Sequence, residues 1–477
     1  MHRPSSSLTR LALFIFAVAA PFATAADTAR QGKTTTALDR YVAAPDPSFS
    51  WKKVAESRDE AAGATVYTLD LVSQNWLTTA EVNRTEWRHW LLIVKPDNLA
   101  HSTALLTIGG GANAPAAAPP KPSRSLLDLA KGTQSVAIEL RMVPNQTLVF
   151  GGDGVERKED DLIAYTWDKF LRTGDERWPA RLPMTKAAVR AMDAVTAFLA
   201  SAEGGRAAVD KFVVAGASKR GWTSWAAAAV DRRVVAICPL VINVLNLEPS
   251  MVHHFRSYGF YAPAVGDYVR HAIMDWNGTP ELKALYAIED PISYVDRFTM
   301  PKLMINACGD QFFAADSSQF FFNELPGEKF QRHVPNTDHS LRNSDATQTL
   351  LAWHHAIVNR TALPQFTWQT GSDGSLTVTT KTKPTSVLLW QATNPAARDF
   401  RLETLGPVWQ SSPVEGRGTF TASVPKPAQG WTAFFLELSF DIGAPHPLKL
   451  TTDVAIFPDT LPFPAPEPKR PKGFLTR

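Results

Sequence analysis

Apolar and polar positions along this chain follow more than one rhythm. "TVYTLDLVSQNW" (65–76) and "EWRHWLLIVKP" (86–96) alternate apolar with polar residues and are rich in β-branched and aromatic types. A period of two predicts two antiparallel strands joined by a polar turn. "TALLTIGGG" (103–111), "SVAIEL" (135–140), "KFVVAGAS" (211–218), "VVAICPLVI" (234–242) and "PKLMINACGD" (301–310) are instead short, nearly continuous apolar runs closed by turn residues. Strands covered on both faces read this way, so these runs predict a mostly parallel sheet. "TKAAVRAMDAVTAFLA" (185–200) switches to helical spacing with Thr185 as its N-cap. The order helix, strand, Gly-Ala-Ser, helix is then a crossover unit of that sheet.

The aromatic- and histidine-rich stretch 243–300 is too long for an ordinary strand–helix connection. It predicts a helical cap over the strand ends, where open α/β sheets bind ligands. From Phe366 the chain returns to short alternating runs, "FTWQTGSDGSLTVTTK" through "WTAFFLELSF", and we read 366–458 as a small, sandwich-like antiparallel β domain. "LPFPAPEPKRPKGFLTR" closes the chain as a proline-rich extended tail over 459–477. The main domain is assigned to 26–365.

The first residues have Arg3 and Arg10, an apolar run over 11–20, and Ala23-Thr24-Ala25. This is the layout of a secretory signal peptide over 1–25. Its apolar run is about half of the ~20 residues that a membrane span needs, so stable membrane insertion is not expected. An uncleaved N-terminal anchor is the alternative. An exported chain is periplasmic in a Gram-negative cell and extracellular elsewhere.

Composition narrows the partners. The 49 Lys and Arg residues against 46 Asp and Glu are spread along the chain, without the basic stripe that a nucleic-acid backbone requires. Cys238 and Cys308 are the only cysteines, which excludes a disulfide scaffold and a cysteine-built zinc site. A single bridge between them stays open beside the commoner free, buried state. The pairs His253/His254 and His354/His355 lack a third ligand at matching spacing, so neither a metal nor another cofactor is expected.

The candidate chemistry centres on "GASKRGWT" (216–223). It begins as the G-x-S-x-G nucleophile elbow, but Arg220 stands where the second glycine belongs and Gly221 follows one residue later. Ser218 closes a predicted strand and opens a helix, where a serine nucleophile sits in such folds; its bland reading is a helix N-cap. A serine hydroxyl needs an imidazole to take its proton and a carboxylate to hold that imidazole. Asp310 ends the run "KLMINACG", and His339 lies in the polar loop "VPNTDHSL". The order Ser218, Asp310, His339 is that of the α/β hydrolases, and the fold class follows: a doubly wound, mostly parallel α/β-hydrolase sheet with a helical cap and a C-terminal antiparallel β domain. Asp316 competes with Asp310 for the acid's place, whereas Asp338 is adjacent to His339 and badly placed to hold its ring. Gly110 and Gly111, after an early strand, and Lys219, after the serine, are the oxyanion candidates. Trp222 and Trp225, three apart on the elbow helix, read as core.

"GASKRGWTSW", "INACGDQFF", "PNTDHS" and "TIGGGAN" resemble the PhoPQ-activated pathogenicity-related proteins over most of the mature chain. That family looks like α/β hydrolases, and its elbow is similar to that of the glucuronoyl esterases, with a basic residue after the serine and a displaced glycine. The resemblance implies nucleophile, acid and base roles for Ser218, Asp310 and His339, and an oxyanion role for the Lys219 cation. The expected activity is hydrolysis of an ester or amide, with a small-molecule, peptide or carbohydrate ester as substrate. An exopeptidase ranks below an esterase, because in prolyl-peptidase-like proteins the β domain precedes the hydrolase domain. A non-catalytic secreted binding or signalling protein on the same scaffold is the competing class.

Overall fold

The computed structural model describes residues 30, 32, 34–113 and 119–475. The predicted leader therefore lies outside the described residues. A nine-stranded sheet forms the centre, from β1 (Ser50–Asp59), β2 (Ala64–Asn75), β3 (Glu86–Pro96), β4 (Thr103–Ile108), β5 (Ala137–Leu140), β6 (Lys211–Ala217), β7 (Val234–Leu240), β8 (Lys302–Ala307) and β9 (Lys329–Val334). Their spatial order is β1-β2-β3-β5-β4-β6-β7-β8-β9. β1, β2, β3 and β5 pair antiparallel in succession. From β5 to β9 every pairing is parallel. This is the α/β-hydrolase strand order with one extra strand at the antiparallel edge.

The continuous apolar runs arise because each parallel strand feeds two cores. Ala104, Leu106 and Ile108 of β4, with Phe212 and Val214 of β6, enter one core together with helices Glu159–Thr173, Arg181–Ala200 and Lys219–Val230. Leu105, Val213 and Ala215 point to the other face, against helices Arg124–Thr133 and Ala346–Val358. Burying each such aliphatic side chain contributes ~1.5–3 kcal/mol, so the period of two survives as a choice of core and not as a choice between core and water.

Helix Arg181–Ala200 begins four residues earlier than the N-cap predicted at Thr185. Pro183 is tolerated in its first turn, where no intrahelical acceptor is needed, and the Thr185 hydroxyl bonds back to the Arg181 carbonyl at 2.7 Å. Between β7 and β8 stand helices Leu247–Tyr258, Gly266–Arg270 and Pro280–Glu289, with short 3-10 turns between them. After helix Ala346–Val358 the chain forms two antiparallel sheets, one of three strands and one of five. Leu376, Val378, Leu436 and Leu438 of these sheets join the second core, and the amide of His333 on edge strand β9 donates to Thr451 Oγ1 at 3.1 Å. The edge of the large sheet is thereby covered.

Over its described residues, 459–475, the proline-rich C-terminal stretch has no regular structure, yet it docks. Phe463 exchanges a backbone hydrogen bond with Arg256 at 3.2 Å, and Phe474 meets Phe170 edge-on at 6.0 Å. Cys238 and Cys308 are both buried and free. Among the described residues no helix is long and apolar enough to cross a membrane.

Candidate active site

Ser218 stands between β6 and helix Lys219–Val230 with φ +58° and ψ −129°. A non-glycine residue adopts positive φ only where the surroundings enforce it. Here the Ser218 amide donates to the Leu240 carbonyl at 2.9 Å and Trp222 N donates to the Ser218 carbonyl at 3.0 Å. The two glycines explain how so sharp a turn closes. A Cβ on Gly216 would lie 2.5 Å from the Arg220 carbonyl oxygen, and a Cβ on Gly221 would lie 2.7 Å from Gly216 O and 3.1 Å from Leu240 O. Helix and strand ends thus touch at position 221, so the displaced glycine meets the same packing demand as an ordinary elbow glycine. Arg220 turns away, with Nε on the Val143 carbonyl and Nη2 on Glu159, each at 2.6 Å.

Asp310 follows β8, and His339 follows β9. Asp310 Oδ2 accepts from His339 Nδ1 at 2.8 Å, and Oδ1 accepts from the Phe312 amide at 2.8 Å. The His339 amide is fixed in turn by Gln311 Oε1 at 3.1 Å. With Nδ1 donating to the carboxylate, the lone pair of the neutral ring lies on Nε2. That nitrogen is buried and has no hydrogen-bond partner. The structure therefore brings Asp310 and His339 together and sets Ser218 on the same edge of the sheet, without a Ser218–His339 hydrogen bond. Asp316, the rival carboxylate, faces elsewhere: it accepts from Arg398 Nη2 at 2.7 Å and contacts His253 Nε2 at 3.0 Å. Burial acts to raise the Asp316 carboxyl, but Arg398 and His253 outweigh it and hold it well below the usual carboxylate range. Asp338 bonds Ser340.

The Lys219 ammonium is buried between Glu159 Oε2 at 2.9 Å and Asp160 Oδ2 at 3.0 Å. Its charge is therefore compensated by two carboxylates, an arrangement that its position next to the serine did not announce. Burial opposes ionisation of Glu159, yet Lys219 and Arg220 overcome this and lower its pKa to about 2. The Lys219 amide opens the helix, where backbone N–H groups have no intrahelical acceptor. At the facing strand end the Gly109 amide is committed to Leu140 O at 2.7 Å; Gly110 follows, its carbonyl accepting from Met142 N, and Gly111 has φ +119°. A Cβ on Gly110 would fall 2.5 Å from Arg220 Nη2, so a side chain there would displace the Arg220 guanidinium.

Beside Ser218 and Lys219 a cavity of about 50 Å3 runs under the segment between β7 and β8, walled by Trp222, Ile242, Leu247, Tyr286 and Phe312 among others. Trp222, read from sequence as core, is thus a cavity wall, pinned by its indole N–H on the Glu289 carbonyl at 2.5 Å and by Arg181 4.2 Å from its ring centroid. Trp225 is core, against Phe298. Phe312 also packs on His339, ring centroids 4.3 Å apart. Phe312, Glu159 and Asp160 escaped the sequence reading; the aromatic pair Phe312-Phe313, just past Gln311, was the available signal for the first, and nothing local marked the carboxylates. Buried Arg181 ties Glu289 at 3.0 Å to the Lys219 carbonyl at 2.8 Å, joining the cap to the elbow. Among the described residues no group of three or more His, Cys, Asp or Glu side chains is placed to hold a metal ion.

A family model described as PhoPQ-activated pathogenicity-related protein matches residues 38–401. The chain is 37% identical over 459 residues to autocrine proliferation repressor protein A of Dictyostelium discoideum, covering 90% of this chain and 92% of that one. Among solved structures it is similar to an acetyl xylan esterase from Paenibacillus sp. R4, at 15% identity and TM-score 0.45, covering 71% of this chain and 100% of that one. A glucuronoyl esterase from Solibacter usitatus is similar at 13% identity and TM-score 0.39, over 67% of this chain and 90% of its own.

Proposed function

This chain belongs to the PhoPQ-activated pathogenicity-related protein family, and from that premise we propose that it is a serine hydrolase cleaving a carboxylic ester or amide. The observation that carries the reading is the positive-φ elbow at Ser218 on the sheet edge that also bears the Asp310–His339 couple. Ser218 Oγ attacks the carbonyl, and His339 Nε2 takes its proton and returns it to the leaving group. Asp310 holds the tautomer. The Ser218–His339 hydrogen bond forms on substrate binding, as catalytic bonds that are long in the free enzyme tighten in the complex. The oxyanion meets the Lys219 amide and the Gly110 and Gly111 backbone. The Lys219 ammonium, balanced by Glu159 and Asp160, acts as an oriented dipole and not as a free cation.

A fluorophosphonate probe on the purified protein, with the labelled peptide mapped by mass spectrometry, tests this. Labelling at Ser218 that disappears in Ser218→Ala and His339→Ala supports it. A folded protein that stays unlabelled overturns it. The reading of residues 1–25 as a leader makes the protein an exported one, with a mature N-terminus at Ala26. Edman degradation of protein recovered from the periplasm or medium checks that.

The name of the Dictyostelium relative favours a second reading, an exported signalling protein in which the scaffold binds a partner. Ser218→Ala separates the two: a signal carried by binding survives the substitution, whereas one carried by hydrolysis does not.

A further inference from the structure

The cavity beside Ser218 is built for one kind of substrate group. Its walls are dominated by Trp222, Ile242, Leu247, Met274, Tyr286 and Phe312. The charges that reach it are already paired: Lys219 lies between Glu159 and Asp160, and the Tyr268 hydroxyl donates to Asp160 Oδ1 at 3.1 Å. With Arg220 on Glu159, two cations face two carboxylates and none is left over. A carboxylate, phosphate or ammonium entering here would lose its hydration without gaining a counter-charge. Two buried donors in the wall lack a hydrogen-bond partner, Trp167 Nε1 and Asn277 Nδ2. The Trp167 indole faces the Glu289 carboxylate. That leaves Asn277, which is 7% exposed, as an unanswered donor within a mostly apolar wall.

Resting on the hydrolase reading, we propose that the group bound in this cavity is uncharged and apolar, of short to medium chain length, and carries one hydrogen-bond acceptor that Asn277 reads. An unsatisfied buried amide is costly, and an acceptor on the ligand relieves that cost, so Asn277 sets specificity while the walls set affinity. A sugar acid or a charged peptide end does not fit these terms.

The test separates this inference from the chemistry by measuring binding to the Ser218→Ala protein, which cannot turn over. Calorimetry compares acetamide, hexanamide, 5-oxohexanamide and adipamate, the last being a hexanamide with a terminal carboxylate. Full burial of a methylene multiplies affinity about fourfold, so even partial burial of four makes hexanamide at least tenfold tighter than acetamide. Adipamate falls at least tenfold below hexanamide. Met274→Trp, which fills the cavity from the cap, removes the chain-length dependence. Asn277→Leu keeps that dependence but cancels the preference for the oxo analogue. Equal binding of acetamide and hexanamide, no binding of hexanamide, or adipamate binding as well as hexanamide overturns the inference. Chain-length preference without fluorophosphonate labelling in the wild type overturns the hydrolase reading and leaves the cavity assignment standing. Labelling without chain-length preference does the reverse.

Discussion

Two carboxylates follow β8, six residues apart, and conservative replacement of each should produce opposite phenotypes. Asp310 is bonded to His339 Nδ1 and the Phe312 amide, each at 2.8 Å. In Asp310→Asn the amide to Phe312 keeps an acceptor, so the cost to stability is about 1 kcal/mol, whereas His339 loses the charge that selects its tautomer. The rate of fluorophosphonate labelling should fall by about 10²–10⁴. Asp316 is 5% exposed, and its partner Arg398 has a fully buried guanidinium whose other contacts include Ser257 Oγ at 2.9 Å. Asp316→Asn leaves that cation without its counter-charge, a loss of ~3–5 kcal/mol from a total that is typically ~5–15 kcal/mol. The urea midpoint should drop by about 1 M or more, while the folded fraction labels within about threefold of wild type. Because the folded pKa of Asp316 is depressed, its contribution is present above the unfolded value near 3.8 and lost as the pH falls through the folded one. The gap between wild type and Asp316→Asn should therefore narrow below about pH 4. The double variant Asp316→Leu/Arg398→Met should recover most of the loss, since no lone charge stays buried. Were Asp316→Asn to keep its urea midpoint yet lose labelling as Asp310→Asn does, the assignment of the acid would be wrong.

Gly221→Ala puts a methyl 2.7 Å from Gly216 O; we expect ~1–3 kcal/mol of destabilisation and slower labelling at Ser218, measured by urea denaturation and probe kinetics. The same outcome for Ala at 221 as for wild type would show that the helix does not close on the strand there. Glu159, lowered to about 2, stabilises above its unfolded value near 4.5 and loses that contribution as the pH falls towards 2. Its side chain is 37% exposed, so solvent screening leaves ~1 kcal/mol; Glu159→Gln should cost that much at pH 7 and little at pH 2 in paired thermal melts. Burial pushes both thiols up, so Cys238 and Cys308 should resist a thiol reagent in the native protein and react fully in denaturant. Reductant should leave the melting temperature unchanged, and a drop would reveal a bridge.

What the sequence disclosed and what it hid divide along one physical line. Strands β4, β6, β7 and β8 were legible because burial on both faces leaves few polar positions to break the run. β1 was not: its residues are exposed or half-buried throughout, and Lys52 and Lys53 of "SWKKVAESRD" give it the look of a surface loop although it pairs with β2 on both sides of an irregularity at Val54. Chain order set the candidates Ser218, Asp310 and His339 on one edge of the sheet, because a strand end fixes which edge a residue reaches. It could not choose between Asp310 and Asp316, since both leave the same strand. That choice is made by Arg398, 82 residues after Asp316, and by His253, 63 residues before it. Lys219 shows the same limit. The resemblance implied an oxyanion cation, yet its charge is balanced by Glu159 and Asp160, about 60 residues upstream on another helix. A residue's type and strand-end position set which chemistry it can offer, but its charge state and freedom are set by partners distant in sequence. The glycine displaced to 221 follows the opposite logic. Its role depends on two backbone oxygens that the elbow itself brings together, so the departure from the usual pattern keeps helix and strand in close contact without any partner distant in sequence.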